Sequence, residues 1–160
     1  MIETILVATD GSDDASAAEQ TAMGLASRLH ARLSGVSVID DRLLRAPAGD
    51  GLALPAFPEA DLTAYYRARA EAVSRRFGER ARGEGIEATC EVLQGCPDDR
   101  IVEKGQGADL LVIGRTGTRT GDRGALIGST VDSILRKTTK PTVLVPGGAP
   151  LTGPLVLGFN

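Results

Sequence analysis

The stretch Leu110-Leu-Val-Ile113-Gly114-Arg-Thr-Gly117-Thr-Arg-Thr-Gly-Asp-Arg-Gly-Ala-Leu-Ile-Gly128-Ser129-Thr130 decides how this chain folds. Its opening apolar run has the pattern of a strand buried on both faces. Beyond it, Val131, Ile134, Leu135 and Thr138 recur at the one-sided spacing of a helix. Between strand and helix lies a loop dense in Gly, Thr and Arg. Glycines let backbone N–H groups approach an anion, and a helix start presents unpaired N–H groups and the positive end of its dipole. The loop therefore reads as a phosphate cradle, with a plain flexible turn as the alternative. It is not a Walker loop, because Gly128-Ser129-Thr130 contains no Lys. Nor is it a dinucleotide fingerprint, which belongs in the first strand-to-helix turn rather than late in the chain.

Outward from this stretch, strands and helices alternate. Thr4–Ala8 reads as a first buried strand ending at Thr9-Asp10-Gly11-Ser12, followed by helix-capping and first-turn acidic residues at Ser12, Asp13 and Asp14. Ala18, Ala22, Leu25 and Leu29 mark the first helix, and Leu33–Ile39 the second strand. A helix between two buried strands is a right-handed crossover, so the sheet is expected to be parallel. From Asp40 to about Pro58 the chain loses periodicity and reads as an irregular insertion. Leu62, Tyr66, Val73, Phe77 and Ala81 mark a second long helix, with Arg67, Arg69, Arg75 and Arg76 on its wet face. Glu87–Leu93 alternates like a strand toward the sheet edge. Pro97 suits the first turn of a short helix carrying Ile101 and Val102. Asp109–Gly114 and Pro141–Val145 complete five strands.

The pattern is an open, doubly wound α/β domain. In such sheets a ligand sits at the carboxyl ends of the strands where their order reverses. Asp10 ends the first strand and Gly114 the fourth, so both are expected to face one crevice: a carboxylate for ribose hydroxyls, a loop for phosphates. Asp10 has a second reading, as a cap for the helix that follows it.

The totals narrow the class. The 160 residues suffice for one domain with a sizeable core, and a net charge of -3 with mixed signs argues against a nucleic-acid surface. No apolar run reaches the length of a membrane span, and a strand at the very start leaves no room for a signal peptide. Two cysteines, Cys90 and Cys96, are too few for a disulfide framework and lack metal-ligand spacing. A cytoplasmic protein with no metal site of its own is expected.

Three segments carry a resemblance to the universal stress protein family. Ile5-Leu-Val-Ala-Thr-Asp10-Gly11-Ser12 looks like its opening strand and turn. Ala108-Asp-Leu-Leu-Val-Ile-Gly114-x-x-Gly117 resembles its fourth strand and first glycine pair. Gly128-Ser129 and then Lys140-Pro141-Thr-Val-Leu-Val145 resemble its close. The resemblance implies a five-stranded parallel sheet in the order 3-2-1-4-5 with helices on both faces, of the adenine nucleotide alpha hydrolase-like kind, over residues 1–146. ATP-binding members of the family carry Gly-x2-Gly-x9-Gly followed by Ser or Thr. This chain has ten residues between Gly117 and Gly128, with Gly121 and Gly124 available to absorb the extra one.

By position, the resemblance implies that Asp10 binds ribose and Val38 borders adenine. It implies that Gly114, Arg115, Gly117, Gly128, Ser129 and Thr130 contact ribose and phosphates, with Mg²⁺ accompanying ATP. Arg115, Arg119 and Arg123 either offset phosphate charge or stand in solvent. The expected role is an ATP-binding stress sensor or regulator with slow hydrolysis at most and no catalytic residue. The alternative is a nucleotide-free partner-binding module. Family resemblance also implies a homodimer through the last strand.

Two enzyme readings lose their key residue. A phosphotransferase reading of Asp10-Gly11-Ser12 needs a nucleophilic Asp where Ala8 stands. A phosphorylatable receiver needs an Asp after the third strand, where Gly95 and Cys96 stand. His30, between Leu29 and Ala31, reads as an ordinary helix surface residue. Residues 147–160 read as a linker plus a further strand, Gly153–Asn160, that echoes Ile5–Asp10: an extra edge strand or the start of a second similar domain.

Overall fold

Side chains along Thr4–Ala8 (β1) alternate between two apolar layers, Ile5 and Val7 entering one and Leu6 the other. That alternation makes β1 the centre of the molecule. The computed structural model describes residues 1–44, 59–117 and 127–147. Most of the expected insertion, the loop residues Arg119, Gly121, Arg123 and Gly124, and the expected strand Gly153–Asn160 lie outside the described residues.

Asp13–Leu29 (α1) follows β1, then Arg32–Asp40 (β2), the single turn Asp41–Leu44 (α2), and the long helix Glu59–Gly83 (α3). Ala88–Gly95 (β3), Pro97–Gly105 (α4), Leu110–Gly114 (β4), Ser129–Lys137 (α5) and Thr142–Val145 (β5) complete the described elements. The strands form one parallel sheet in the order β3-β2-β1-β4-β5. Ile5 pairs with Leu33 on one side and Leu110 on the other, so β1 is flanked by buried strands.

Helices α1 and α3 supply one layer, where Ala18, Ala22, Met23, Phe77 and Ala81 pack on Ile5, Val7 and Val112. Helices α4 and α5 supply the other, where Ile101, Val131 and Ile134 pack on Leu6, Leu111 and Ile113. Alanines on α1 bring that helix close to the sheet, as its spacing predicts. The buried stripe nevertheless differs from Ala18-Ala22-Leu25-Leu29. Glu19, Met23 and Ala26 turn inward, while Leu29 is 45% exposed at the end of the helix.

Other departures have local causes. The first residues of the expected irregular insertion are helical instead, because Asp40 accepts the Arg42 N–H at 2.9 Å and starts α2, whose Leu44 packs with Ile39 and Ala70. His30 does not continue α1. It ends it in the left-handed conformation (φ 53°), where a glycine is the commoner choice. Ser12 caps α1 by accepting the Ala15 N–H at 3.2 Å.

Candidate functional site

The carboxyl ends of β1, β2 and β4 meet where the strand order reverses, and a cleft of about 180 Å³ opens there. Asp10 borders it from β1, Val38 from β2, and Gly114 and Gly117 from the end of β4. Gly128, Ser129 and Thr130 close the far side at the start of α5. The topology thus brings Asp10 and the glycine segment to one crevice, as the sequence predicts.

Asp10 accepts the Ser12 N–H at 3.0 Å through Oδ1, and its Oδ2 lies 2.9 Å from where a Cβ would stand on Gly117. The carboxylate therefore lies against the glycine segment, and Ser12 rather than Asp10 caps the helix. Gly114 answers a different need. A Cβ there would come within 2.7 Å of the Asp14 carbonyl carbon and 2.9 Å of the Ala15 nitrogen, so α1 starts directly on top of it. Gly128 has neither constraint. It sits at φ −67° with room for a Cβ at 3.5 Å and beyond.

Arg115 holds the loop with its backbone: its N–H donates to Val145 O at 2.8 Å and its carbonyl accepts the Gly128 N–H at 3.0 Å. Its side chain is exposed and is not among the described residues bordering the cleft. Thr116 borders the cleft instead, with its N–H and hydroxyl both donating to Asp14 Oδ2 at 2.8 and 2.7 Å.

Apolar walls come from Val36, Ile113, Ile101 and Ile134. Asp40 also borders the cleft, but its carboxylate is held by the Arg42 guanidinium at 2.8 Å on each oxygen. Beneath the turn at Asp10, the fully buried Glu19 accepts from Thr9 Oγ1 at 2.6 Å and from Arg80 Nη1 at 2.7 Å. This pair fixes the end of β1 from below.

The α4 and α5 walls are tied together by Asp98. Its carboxylate accepts from Cys96 Sγ at 3.0 Å, Ser133 Oγ at 2.5 Å and Lys137 Nζ at 2.6 Å. Burial alone would raise this carboxyl, but the donors from Cys96, Lys137 and Ser133 hold it well below the usual carboxylate range. The Cys96 thiol is raised by its hydrogen bond to Asp98, and burial pushes Cys90 up to about 11. Neither thiol has the lowered pKa of a reactive cysteine. Among the described residues, no cluster of His, Cys, Asp and Glu could hold a metal ion, and no helix is long and apolar enough to cross a membrane.

The universal stress protein family profile matches residues 1–146, the stretch that builds both the sheet and this cleft. The chain belongs to the universal stress protein family.

A universal stress protein of Methanocaldococcus jannaschii is 26% identical over 148 residues, covering 91% of this chain and 82% of that protein. The structure of the universal stress protein UspA from Lactobacillus plantarum is similar at 26% identity and a TM-score of 0.75, over 90% of this chain and 97% of the other. Two more distant universal stress protein structures share the fold and hold adenine nucleotides. One, from Archaeoglobus fulgidus with dAMP, has 22% identity and a TM-score of 0.62, covering 91% of this chain and 99% of the other. One with cAMP has 24% identity and a TM-score of 0.63, covering 91% and 97%.

Within this universal stress protein, Thr116, Asp40, Pro97 and Ile101 border the cleft although sequence reading placed none of them there. Thr116 was discoverable, since it sits inside the Gly114-x-x-Gly117 pair and carries a hydroxyl. Pro97 and Ile101 were not, because only the packing of α4 against β2 brings them to the cleft.

Proposed function

We propose that this protein binds an adenine nucleotide, with ATP accompanied by Mg²⁺ as the physiological form, and acts as a stress-response sensor or regulator with slow hydrolysis at most. The observation that carries this reading is the Asp10 carboxylate lying against Gly117 at the mouth of the cleft. A carboxylate at that place is suited to ribose hydroxyls. The hydroxyls of Ser129 and Thr130 and the backbone N–H groups at the start of α5 beyond Gly128 form a neutral donor set of the kind that holds phosphates. Family membership and the dAMP and cAMP complexes of relatives support the same ligand class.

The residues fit Mg²⁺ riding on phosphate oxygens rather than held in a protein cage. When bound, the ion would offset phosphate charge beside Ser129 and Thr130. Val38 would border the base, and Asp10 would face the sugar. Free thiols at Cys90 and Cys96 fit the cytoplasmic setting this reading assumes. Among the described strands β5 lies at the sheet edge, and we place a homodimer contact there. A monomer in sedimentation at micromolar concentration would overturn that contact.

A nucleotide-free partner-binding module is the second reading. The size of the cleft favours it, since about 180 Å³ is below the ~300 Å³ usual for ligand sites. Calorimetric titration with ATP and Mg²⁺, AMP and cAMP separates the two. Micromolar binding that disappears in Asp10→Ala is the expected result, and no binding by the wild type leaves the partner-binding module.

A further inference from the structure

Asp14 was legible in the sequence only as an acidic first-turn residue, where a carboxylate favours the helix dipole. In the fold its carboxylate leaves the helix and joins two distant segments. Oδ2 accepts the N–H and the hydroxyl of Thr116 at 2.8 and 2.7 Å, and Oδ1 accepts the Gly147 N–H at 2.7 Å. These are the lengths of strong, charge-assisted bonds. Thr116 borders the cleft, whereas Gly147 follows β5 and does not. A Cβ on Gly147 would collide with Asp14 Oδ1, so the glycine makes the room that the carboxylate fills.

We propose that Asp14 is a positioning residue that sets the Thr116–Gly117 segment against Asp10 and couples occupancy of the cleft to the end of the edge strand. This rests on the nucleotide reading of the cleft. A ligand that tightens Thr116 tightens its bonds to Asp14, and through the second oxygen the chain leaving β5. Coupling of this kind runs both ways, so disturbing Gly147 weakens binding at a cleft it does not touch.

The test uses Gly147→Ala and Asp14→Asn, with Asp13→Asn as control. Asp13 shares the first turn of α1 but is exposed, so its substitution removes the same charge and leaves the clamp. AMP affinity is measured by calorimetry, and exchange of the Thr116 and Gly147 amides by NMR with and without AMP. Affinity is expected to fall about tenfold in Gly147→Ala and in Asp14→Asn, and to stay unchanged in Asp13→Asn. AMP is expected to slow exchange at Gly147 in the wild type but not in Asp14→Asn. Should Asp14→Asn fail to fold, Gly147→Ala still decides, because it only displaces the carboxylate from outside the cleft. Wild-type affinity in Gly147→Ala, or a Gly147 amide indifferent to AMP in a wild type that binds it, overturns the coupling alone. A wild type that does not bind AMP, ATP or cAMP overturns the nucleotide reading and the coupling with it.

Discussion

Asp10 and Gly117 are neighbours in space: the carboxylate Oδ2 stands 2.9 Å from the position a Cβ would occupy on the glycine. Any side chain at 117 has to displace the acid. Glycine at 114 is demanded instead by the backbone of α1, and glycine at 128 by nothing in the described protein. The motif thus divides into one glycine required by folding, one whose bare Cα makes room for Asp10, and one that the described protein has room to replace.

Alanine substitutions separate these roles. Gly114→Ala drives a Cβ into helix backbone and is expected to cost about 2 kcal/mol in denaturant unfolding. Gly117→Ala moves only the end of a side chain, so stability changes by less than about 1 kcal/mol while nucleotide affinity falls about tenfold. Gly128→Ala is expected to keep stability within about 0.5 kcal/mol and still weaken binding. Unchanged affinity in both Gly117→Ala and Gly128→Ala would remove the phosphate cradle.

The buried Glu19 depends on Arg80, whose side chain is 31% exposed. Arg80→Ala strands a carboxylate in the core with the Thr9 hydroxyl as its donor and is expected to cost about 3 kcal/mol. Thr9→Val removes a neutral hydroxyl and should cost about 1 kcal/mol. Urea unfolding of the two variants measures the difference, and equal losses would mean the ion pair adds nothing beyond the hydroxyl.

Acid unfolding should report on Asp98. Its folded pKa lies below the ordinary 3.8, so its contribution is complete above that value and is lost as the pH falls through the folded one. Lys137 is raised above its ordinary 10.5 by Asp98 and Asp99, so its contribution is complete below that value and is lost only at more alkaline pH. The α4–α5 tie is therefore intact throughout the neutral range. Stability of Asp98→Asn measured against pH is expected to lose part of the acid limb below about pH 4. A limb identical to the wild type would show that other carboxylates govern it.

Sedimentation with and without nucleotide addresses the β5 edge. A dimer that persists at micromolar concentration is expected. If addition of AMP leaves both the association and the Gly147 amide unaffected, cleft and edge act independently.

Much of this architecture was readable because its causes are local. Leu110–Ile113 is apolar throughout, the pattern of a strand covered on both faces, and Pro97 suits the first turn of a helix. Gly-Ser-Thr at 128–130 marked a helix start for the same reason. The alternation of such elements implied a parallel sheet with its site at the strand ends. The inward turn of Glu19 was not readable, because helical spacing argues against burying a carboxylate unless a donor from another helix is known, and Arg80 is remote in sequence. Nor was the choice between the two readings of Arg115, whose backbone is claimed by Val145 and Gly128 while its side chain is left to solvent.

The sequence by itself determined the order and kind of the elements and put Asp10 and the glycines at strand ends, since periodicity and turn chemistry act over a few residues. Only the tertiary structure decided what those residues meet. Asp14 meeting Gly147, Asp10 meeting Gly117 and Glu19 meeting Arg80 are contacts between distant segments, set by sheet order and helix packing.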